Sequence, residues 1–519
     1  MSDTSAPLPK RGLYHQLRHN PRLVLAVFVL ASCYFNFGYD GSVFGGALAM
    51  PAFIKQFGHG DGPLAVLSAR DVSIMTAVPT VGSVFGAWIS AYCGDKLGRR
   101  KTLLIGCVIS IIAAAIQTGS SSLAVITVGR LIAYGPILIY LAIASSFQSE
   151  IAPSSIRGIL VGTSIFFINL ASVVTSGINW GTHAISSSFS YRLPLGLQIL
   201  WPMIIAIGLW FITDSPTFFL INGDDERANQ SLRKIRRGYT EEEIEVEMNA
   251  LKFQAALRAE DVQLSWLELF KGANLRRTLL SMSIGNFQQF SGIAFATNYA
   301  TIFLTQIGSA DPYLLVFGLS LLSLGGSVAG LFIVDWMGRR PLALTSFIII
   351  FIIDVVIGAL GFTDSNNESV KKAIAAFSLL FGFFYAAGFG PLTYIVTAEM
   401  PTARLRNATA SFSILSIVIL GLAASLSLPY IANADAANLG AKTYLIFAGW
   451  MFCCIILTFF FLPETKDRSP AELDEMFNAG VPARKFKGYK CICSTENLTT
   501  ALQQVEKFGD EIIHEERIV

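Results

Sequence analysis

The chain has 519 residues, 53% hydrophobic and 14% charged, with a formal net charge of +2 and a mean hydropathy of +0.55. Soluble domains carry about 25% charged residues, so this composition excludes a soluble globular protein and predicts an integral membrane one. The charge lies in short loops and tails and predicts no nucleic-acid partner, and the seven Cys have no metal-ligand spacing and predict no disulfide framework.

The opening stretch, residues 1–22, is polar and basic and lacks an h-region followed by a small-residue cleavage site, so the first span is expected to act as the insertion signal. Hydropathy over membrane-length windows predicts an all-α membrane protein of twelve transmembrane helices. They fall near 23–47, 70–93, 102–119, 122–147, 158–180, 194–213, 277–306, 311–334, 341–361, 372–397, 407–431 and 440–462. This gives a six-helix half over 23–213, a charged linker over 214–276, a second six-helix half over 277–463 and a tail over 464–519. Lys10, Arg11, Arg18 and Arg22 precede the first helix, and Lys96, Arg99, Arg100 and Lys101 fill the second loop. The positive-inside rule then puts both termini in the cytoplasm.

In the linker, Thr240-Glu241-Glu242-Glu243 is a capping box that opens an amphipathic helix through Ile244, Val246, Met248 and Leu251. Residues 225–237 read as another. The tail after Pro463 is expected to be plain and cytosolic, although the basic residues and Cys pair of 483–493 also suit lipid contact and acylation. Four N-x-S/T sequons occur. Asn229, Asn407 and Asn497 fall on the cytoplasmic side, and Asn367, between helices 9 and 10, is the expected glycan acceptor.

Asp40 sits inside the apolar first span, about a turn before Gly45-Gly46. A carboxylate at that depth costs roughly 3 kcal/mol on insertion scales unless it has a partner, a wet cavity or a proton. One reading has it facing the bundle interior and titrating; the other puts it near the outer headgroups, helped by the glycines. Arg130 in helix 4 lies at matching depth, about eight residues or roughly 12 Å from the outer end, as an ion pair requires. Burial favours the neutral acid and the guanidinium favours the carboxylate, so loosening the pair changes proton affinity. A static pair joining helices 1 and 4 is the alternative. Asp354 in helix 9 has no evident partner and is expected in an outer, partly hydrated position. His15, His19, His59, His183 and His514 all fall in tails or loops and form no relay.

Two charged features recur. Asp95-Lys96-Leu97-Gly98-Arg99-Arg100 follows helix 2, and Asp335-Trp336-Met337-Gly338-Arg339-Arg340 follows helix 8; Glu150 with Arg157 follows helix 4, and Glu399 with Arg406 follows helix 10. Repetition at equivalent helices is the internal symmetry of a transporter with its site between two halves. With Gly38-Tyr39-Asp40, Gly129-Arg130, Ser149-Glu150-Ile151-Ala152-Pro153, Asp214-Ser215-Pro216, Gln288-Gln289-Phe290-Ser291-Gly292, Gly390-Pro391 and Leu462-Pro463-Glu464-Thr465, the chain resembles the major facilitator superfamily, and within it the sugar porter family. Residues 398–406 resemble the shortened form of fungal disaccharide permeases.

The resemblance implies alternating access and a plasma-membrane location. It also implies proton symport, with Asp40 as proton site and Arg130 as modulator, and an inner gate of Asp95, Arg99, Arg100, Glu150, Arg157, Asp335, Arg339, Arg340, Glu399 and Arg406. Sugars are bound by amides, hydroxyls and aromatic faces; the candidates are Gln288, Gln289, Asn298 and Tyr299 in helix 7 and Tyr385 and Tyr394 in helix 10. The glutamines also suit interhelical bonding, the usual structural role of membrane amides. Several polar positions of the family are replaced here, by Ile165, Ala294, Ala386, Tyr394 and Gly421, which predicts a roomier or less polar pocket than a glucose site. The expected partners are a sugar or sugar-like solute, a proton and the bilayer, with no cofactor. A nutrient sensor on the same scaffold and an exporter of a less polar metabolite are the alternatives. No nucleophile–base set, metal cluster or phosphate loop suggests an enzyme.

Overall fold

The computed structural model describes residues 20–59, 67–152, 157–237, 239–261, 266–307, 311–363, 367–402, 405–433, 435–466, 468–489 and 491. Its regular elements are helices, as a bilayer demands of a chain that must satisfy its backbone groups internally. The first half comprises α1 (Pro21–Ala47), α2 (Ala69–Lys96), α3 (Arg99–Gly119), α4 (Leu123–Ile151), α5 (Arg157–Thr182) and α6 (Phe189–Phe211). The second comprises α7 (Gly272–Phe290), α8 (Pro312–Met337), α9 (Arg339–Leu360), α10 (Glu368–Glu399), α11 (Arg406–Ala432) and α12 (Thr443–Phe461). Ten of these are long and apolar enough to cross a membrane by length and composition alone. The other two are α5 and α7.

The packing shows the symmetry. In the first half α1 packs on α4, α5 and α6, α2 on α4, and α3 on α4 and α6. In the second, α7 packs on α10, α11 and α12, α8 on α10, and α9 on α10 and α12, the same pairings six helices on. Between halves, α2 meets α11 and α5 meets α8. The fold is thus a twelve-helix bundle of two pseudo-symmetric halves.

Small residues set the closest approaches, as expected where lipid supplies no hydrophobic drive between helices. A Cβ on Gly86 of α2 would lie 2.1 Å from the Gly135 carbonyl oxygen of α4, and one on Gly326 of α8 would lie 2.3 Å from that of Phe383 in α10. The two glycines hold matching places before Arg99 and Arg339.

Both α3 and α9 begin at a glycine with positive φ, Gly98 at 91° and Gly338 at 89°. The first N–H groups of a helix need acceptors, and here each pair receives a carboxylate from just beyond the last span of its own half. Asp214 accepts from the N–H groups of Arg99 (3.1 Å) and Arg100 (3.3 Å), and Glu464 from those of Arg339 (3.0 Å) and Arg340 (3.1 Å). A Cβ on Gly98 would stand 2.3 Å from the Asp214 Oδ2, and one on Gly338 would stand 2.7 Å from the Glu464 Oε2.

At the opposite end of the bundle the halves are tied together. The Ala69 N–H donates to Asp435 Oδ2 (2.7 Å), Ser73 Oγ to the Leu426 carbonyl (2.9 Å), Trp180 Nε1 to Asp311 Oδ2 (3.0 Å) and the Tyr313 hydroxyl to the Gly46 carbonyl (3.3 Å). Trp180 stacks on Phe317 and His183 on Tyr313 at the same level.

Two expectations are corrected. The seventh span is broken: α7 ends at Phe290, Gly292 takes φ 82°, a π turn covers Phe295–Tyr299, and helix resumes over Ala300–Ile307. Only glycine adopts that φ without strain, so the break is local in origin. In the tail, helix Pro470–Asn478 and a 3₁₀ turn over Ala483–Gly488 pack against the second half. There Arg277 of α7 bridges Asp474 (2.5 Å) and the Met400 carbonyl (2.9 Å). Cys493 lies outside the described residues. Asp354 is 0% exposed, with neither carboxylate oxygen hydrogen-bonded among the described residues. It faces inward along α9 with Ile350, Ile353 and Ile357, not out to a hydrated rim. In the linker, Asp225–Ile235 and Glu241–Asp261 are helical, and the capping box forms through Thr240 and Glu243 (2.8 and 3.3 Å).

Substitutions separate the two roles of glycine. Gly86→Ala is expected to cost about 1–3 kcal/mol through overpacking, whereas Gly135→Ala, whose Cβ would meet nothing closer than 3.7 Å, leaves thermal unfolding of the purified protein unchanged. Gly98→Ala should displace Asp214 and lower the melting temperature, while Gly119→Ala, with open space around it, should not. Equal melting temperatures within either pair would refute the packing assignment.

Candidate functional site

The carboxylate-capped turns aim two arginines at the ends of neighbouring helices. Arg99 Nη2 lies 3.0 Å from Glu150 Oε1 at the end of α4, and its Nη1 donates to the Gly94 carbonyl (2.8 Å). Asp95, 83% exposed along its side chain, approaches Arg99 at 3.8 Å. In the second half Arg339 Nη2 lies 2.8 Å from Glu399 Oε1, and Thr465 donates to Glu399 Oε2 (2.6 Å). Arg100 and Arg340 donate to the Trp210 and Phe459 carbonyls at 3.4 and 2.8 Å, near the ends of α6 and α12. Each bridge is internal to its half. The side chains of Arg157, Asp335 and Arg406 lie outside the described ones. Burial raises the Asp214 carboxyl above the usual range, against the pull of the N–H groups of Ser215, Arg100 and Arg99. Asp214 and Glu464 were not among the residues assigned from sequence; their signal was their place directly after the last span of each half.

Asp40 is 2% exposed, on the face of α1 that packs against α4. Its Oδ2 accepts from Asn36 Nδ2 one turn earlier (3.2 Å), and its Oδ1 has no hydrogen-bond partner among the described residues. Arg130 stands at the same depth, but its Nη1 donates to the Asp40 backbone carbonyl (3.4 Å), not to the carboxylate. The guanidinium lies 4.0 Å from the centre of the Phe44 ring, and its Nη2 donates to the Tyr134 hydroxyl (3.3 Å). The pair expected from sequence is therefore brought together without the carboxylate–guanidinium bond.

On the second half, Gln288 Nε2 donates to the Tyr385 hydroxyl, and Thr393 Oγ1 donates to Gln288 Oε1 (3.5 Å). Tyr385 is stacked between Phe381 and Phe389. Gln289 turns to α11, where a Cβ on Gly421 would lie 3.4 Å from its Oε1. The room left by that glycine is thus beside an amide. Tyr394, further along α10 towards the capped turns, is 47% exposed. Across the interface, Ile165 of α5 is the nearest neighbour of Gly390 in α10. The side chains of Asn298 and Tyr299 lie outside the described ones; both residues sit in the π turn, a feature frequent at functional sites. Asn367 is exposed and caps α10 through the Ser369 N–H (3.0 Å).

Comparisons with known proteins agree with this architecture. The chain is 30% identical over 463 residues to the major facilitator-type transporter ecdD of Aspergillus rugulosus, covering 85% of this chain and 84% of that one. It is 28% identical over 477 residues to the general alpha-glucoside permease of Saccharomyces cerevisiae, covering 90% and 77%. Among solved structures it superposes on the inward-open xylose transporter XylE from E. coli with a TM-score of 0.72 and 18% identity, covering 87% of this chain and 99% of that chain. The family model for sugar (and other) transporters matches residues 26–477. The chain is an integral, multi-pass membrane protein that belongs to the sugar (and other) transporter family of the major facilitator superfamily, a family of carriers rather than enzymes.

Proposed function

We propose that the chain moves a sugar or sugar-like solute across the plasma membrane by alternating access, driven by a proton carried on Asp40. The observation behind this reading is the Asp40 carboxylate itself: buried, with one oxygen on Asn36 and the other without a partner, one side-chain reach from Arg130. An ionised group so placed needs the guanidinium, whereas a neutral acid does not. Movement of Arg130 between the Asp40 carbonyl and its carboxylate changes which form is tolerated, and such movement follows any shift of α4 against α1. Conversely, taking up a proton frees Arg130 to stay on the carbonyl and Phe44.

Ties between the halves at the outer end fit a carrier closed there, while at the capped-turn end the Arg99–Glu150 and Arg339–Glu399 bridges are intact within each half. In this reading that end, with both termini, is cytoplasmic, and the sequence partition into two halves, a linker and a tail marks the moving parts. The same charged set, with Arg157, Asp335 and Arg406 assigned by spacing, serves as the inner gate. Asn367 is then on the outer surface, available to a glycan. Gln288, Gln289, Tyr385 and Tyr394, with Asn298 and Tyr299 assigned by sequence, form the solute site. Gly421 and Ile165 leave it wider than a hexose needs, so a disaccharide is the favoured class; the alpha-glucoside permease among its relatives supports that size.

Transport assays in vesicles test both parts. Asp40→Asn is expected to abolish proton-driven accumulation and flatten the pH dependence of uptake between pH 5 and 7 (about a hundredfold change in proton concentration), while exchange of labelled solute across equilibrated membranes persists. Accumulation and pH dependence that survive the substitution would remove Asp40 from the coupling. In a panel of labelled mono- and disaccharides, Gln288→Ala should weaken the preferred solute about fivefold or more, the worth of one lost hydrogen bond. Equal uptake by the variant would leave Gln288 as interhelical glue, and outward movement of an apolar solute alone would favour the exporter.

A further inference from the structure

Away from the solute path, a cavity of 130 Å³ opens at the capped-turn end of the first half, between the start of α1, the ends of α4 and α6, and the linker helix Asp225–Ile235. Arg22 and Lys234 line it from two different elements, Thr213 adds a hydroxyl, and Phe147, Phe211 and Ile212 form the rest of its wall. Both cations are exposed, and neither makes an ion pair among the described residues. Most of the basic groups around them are engaged: Arg236 is bonded to Glu247 (2.8 Å) and the Ile151 carbonyl (2.9 Å), and Arg233 to Glu241 (2.6 Å).

The cavity is built, not incidental. Ser231 ties the linker helix to the end of α6 through the Asp214 carbonyl (2.6 Å) and Thr213 (3.2 Å), and Arg236 ties it to the end of α4. Lys234 is thereby held opposite Arg22. α1 also starts here with no acidic residue in its first turn, so its N-terminal N–H groups add positive potential.

We propose that this cavity binds the phosphate of an anionic phospholipid, with Arg22 and Lys234 on the phosphate and an acyl chain leaving over Phe211. Charge alone would fit any phosphate. The apolar wall decides: Phe211, on that wall, is 66% exposed, and Trp210, the residue before it in α6, is 73% exposed. A water-soluble phosphate has no use for that wall. Basic pockets between spans at a cytoplasmic boundary take anionic headgroups for the same reason. The occupant would brace α1, α6 and the linker together. The site rests on the twelve-span architecture and not on the proton reading.

Native mass spectrometry and thermal unfolding of the full chain, relipidated with phosphatidylglycerol or phosphatidylcholine, test it. Phosphatidylglycerol should be retained and raise the melting temperature, and phosphatidylcholine should do neither. Neutralising one cation, Arg22→Gln or Lys234→Gln, should weaken retention about fivefold, and the double variant about thirtyfold. Lys101→Gln, at the same end but outside the cavity, should change nothing. Equal loss in Lys101→Gln would reduce the effect to a general basic surface and overturn the site, as would unchanged retention in the double variant. Inorganic phosphate that stabilises as strongly as the lipid would overturn the lipid assignment. Should the double variant not fold, the unmodified chain still decides: no preference for the anionic lipid ends the proposal.

Discussion

A helix that starts at the edge of a bilayer has N–H groups with little water to turn to. This chain answers twice in the same way, by bringing a carboxylate from the far end of each half onto the first turn of its third helix. Asp214 on α3 and Glu464 on α9 close each six-helix half into a ring, because the last span is thereby fastened to the turn after the second. Gly98 and Gly338 are required by it on two grounds, their positive φ and the space the carboxylate occupies. The turn so fixed sets the direction of Arg99 and Arg339, and through them the ends of α4 and α10. Each half is thus fastened within itself, and the two halves meet through α2 against α11 and α5 against α8.

Those surfaces are unequal along their length. At one end, hydrogen bonds and stacked rings cross between halves, with the Gly46 carbonyl of α1 accepting from Tyr313 of α8. Gly46 is less than two turns from Asp40, so the helix that carries the buried carboxylate also carries one of the ties between the halves.

The repeat was legible in the sequence because charges are scarce in apolar runs, so Asp-x-x-Gly-Arg-Arg and the Glu–Arg spacing stand out against their surroundings. Depth was legible for the same reason, since Asp40 and Arg130 can be counted from the ends of their spans. Facing was not. Hydropathy gives a residue's level in the bilayer, but the side a helix presents depends on neighbours hundreds of residues away. Asp354 was therefore placed at a wet rim when it points into the packed side of α9. The caps by Asp214 and Glu464 join residues more than a hundred positions apart, which no local pattern encodes. The break at Gly292 was hidden because it is one of the chain's 44 glycines, and a positive φ leaves no mark on the residue type.

Two buried acids invite comparison, and their surroundings assign them different fates. Asp354 has neither a cation nor a hydrogen-bond donor on its carboxylate among the described residues, and ionising it in place would leave an uncompensated charge at a cost of several kcal/mol. Asp40 has Asn36 on one oxygen and a guanidinium already resting on its own backbone carbonyl. Asp40 thus has a cation beside it in the same packing, and Asp354 has none among the described residues. A group serves as a reversible carrier only when both of its forms are tolerated in the same scaffold, which is why the proposed proton site is Asp40 in the first helix and not Asp354 in the ninth.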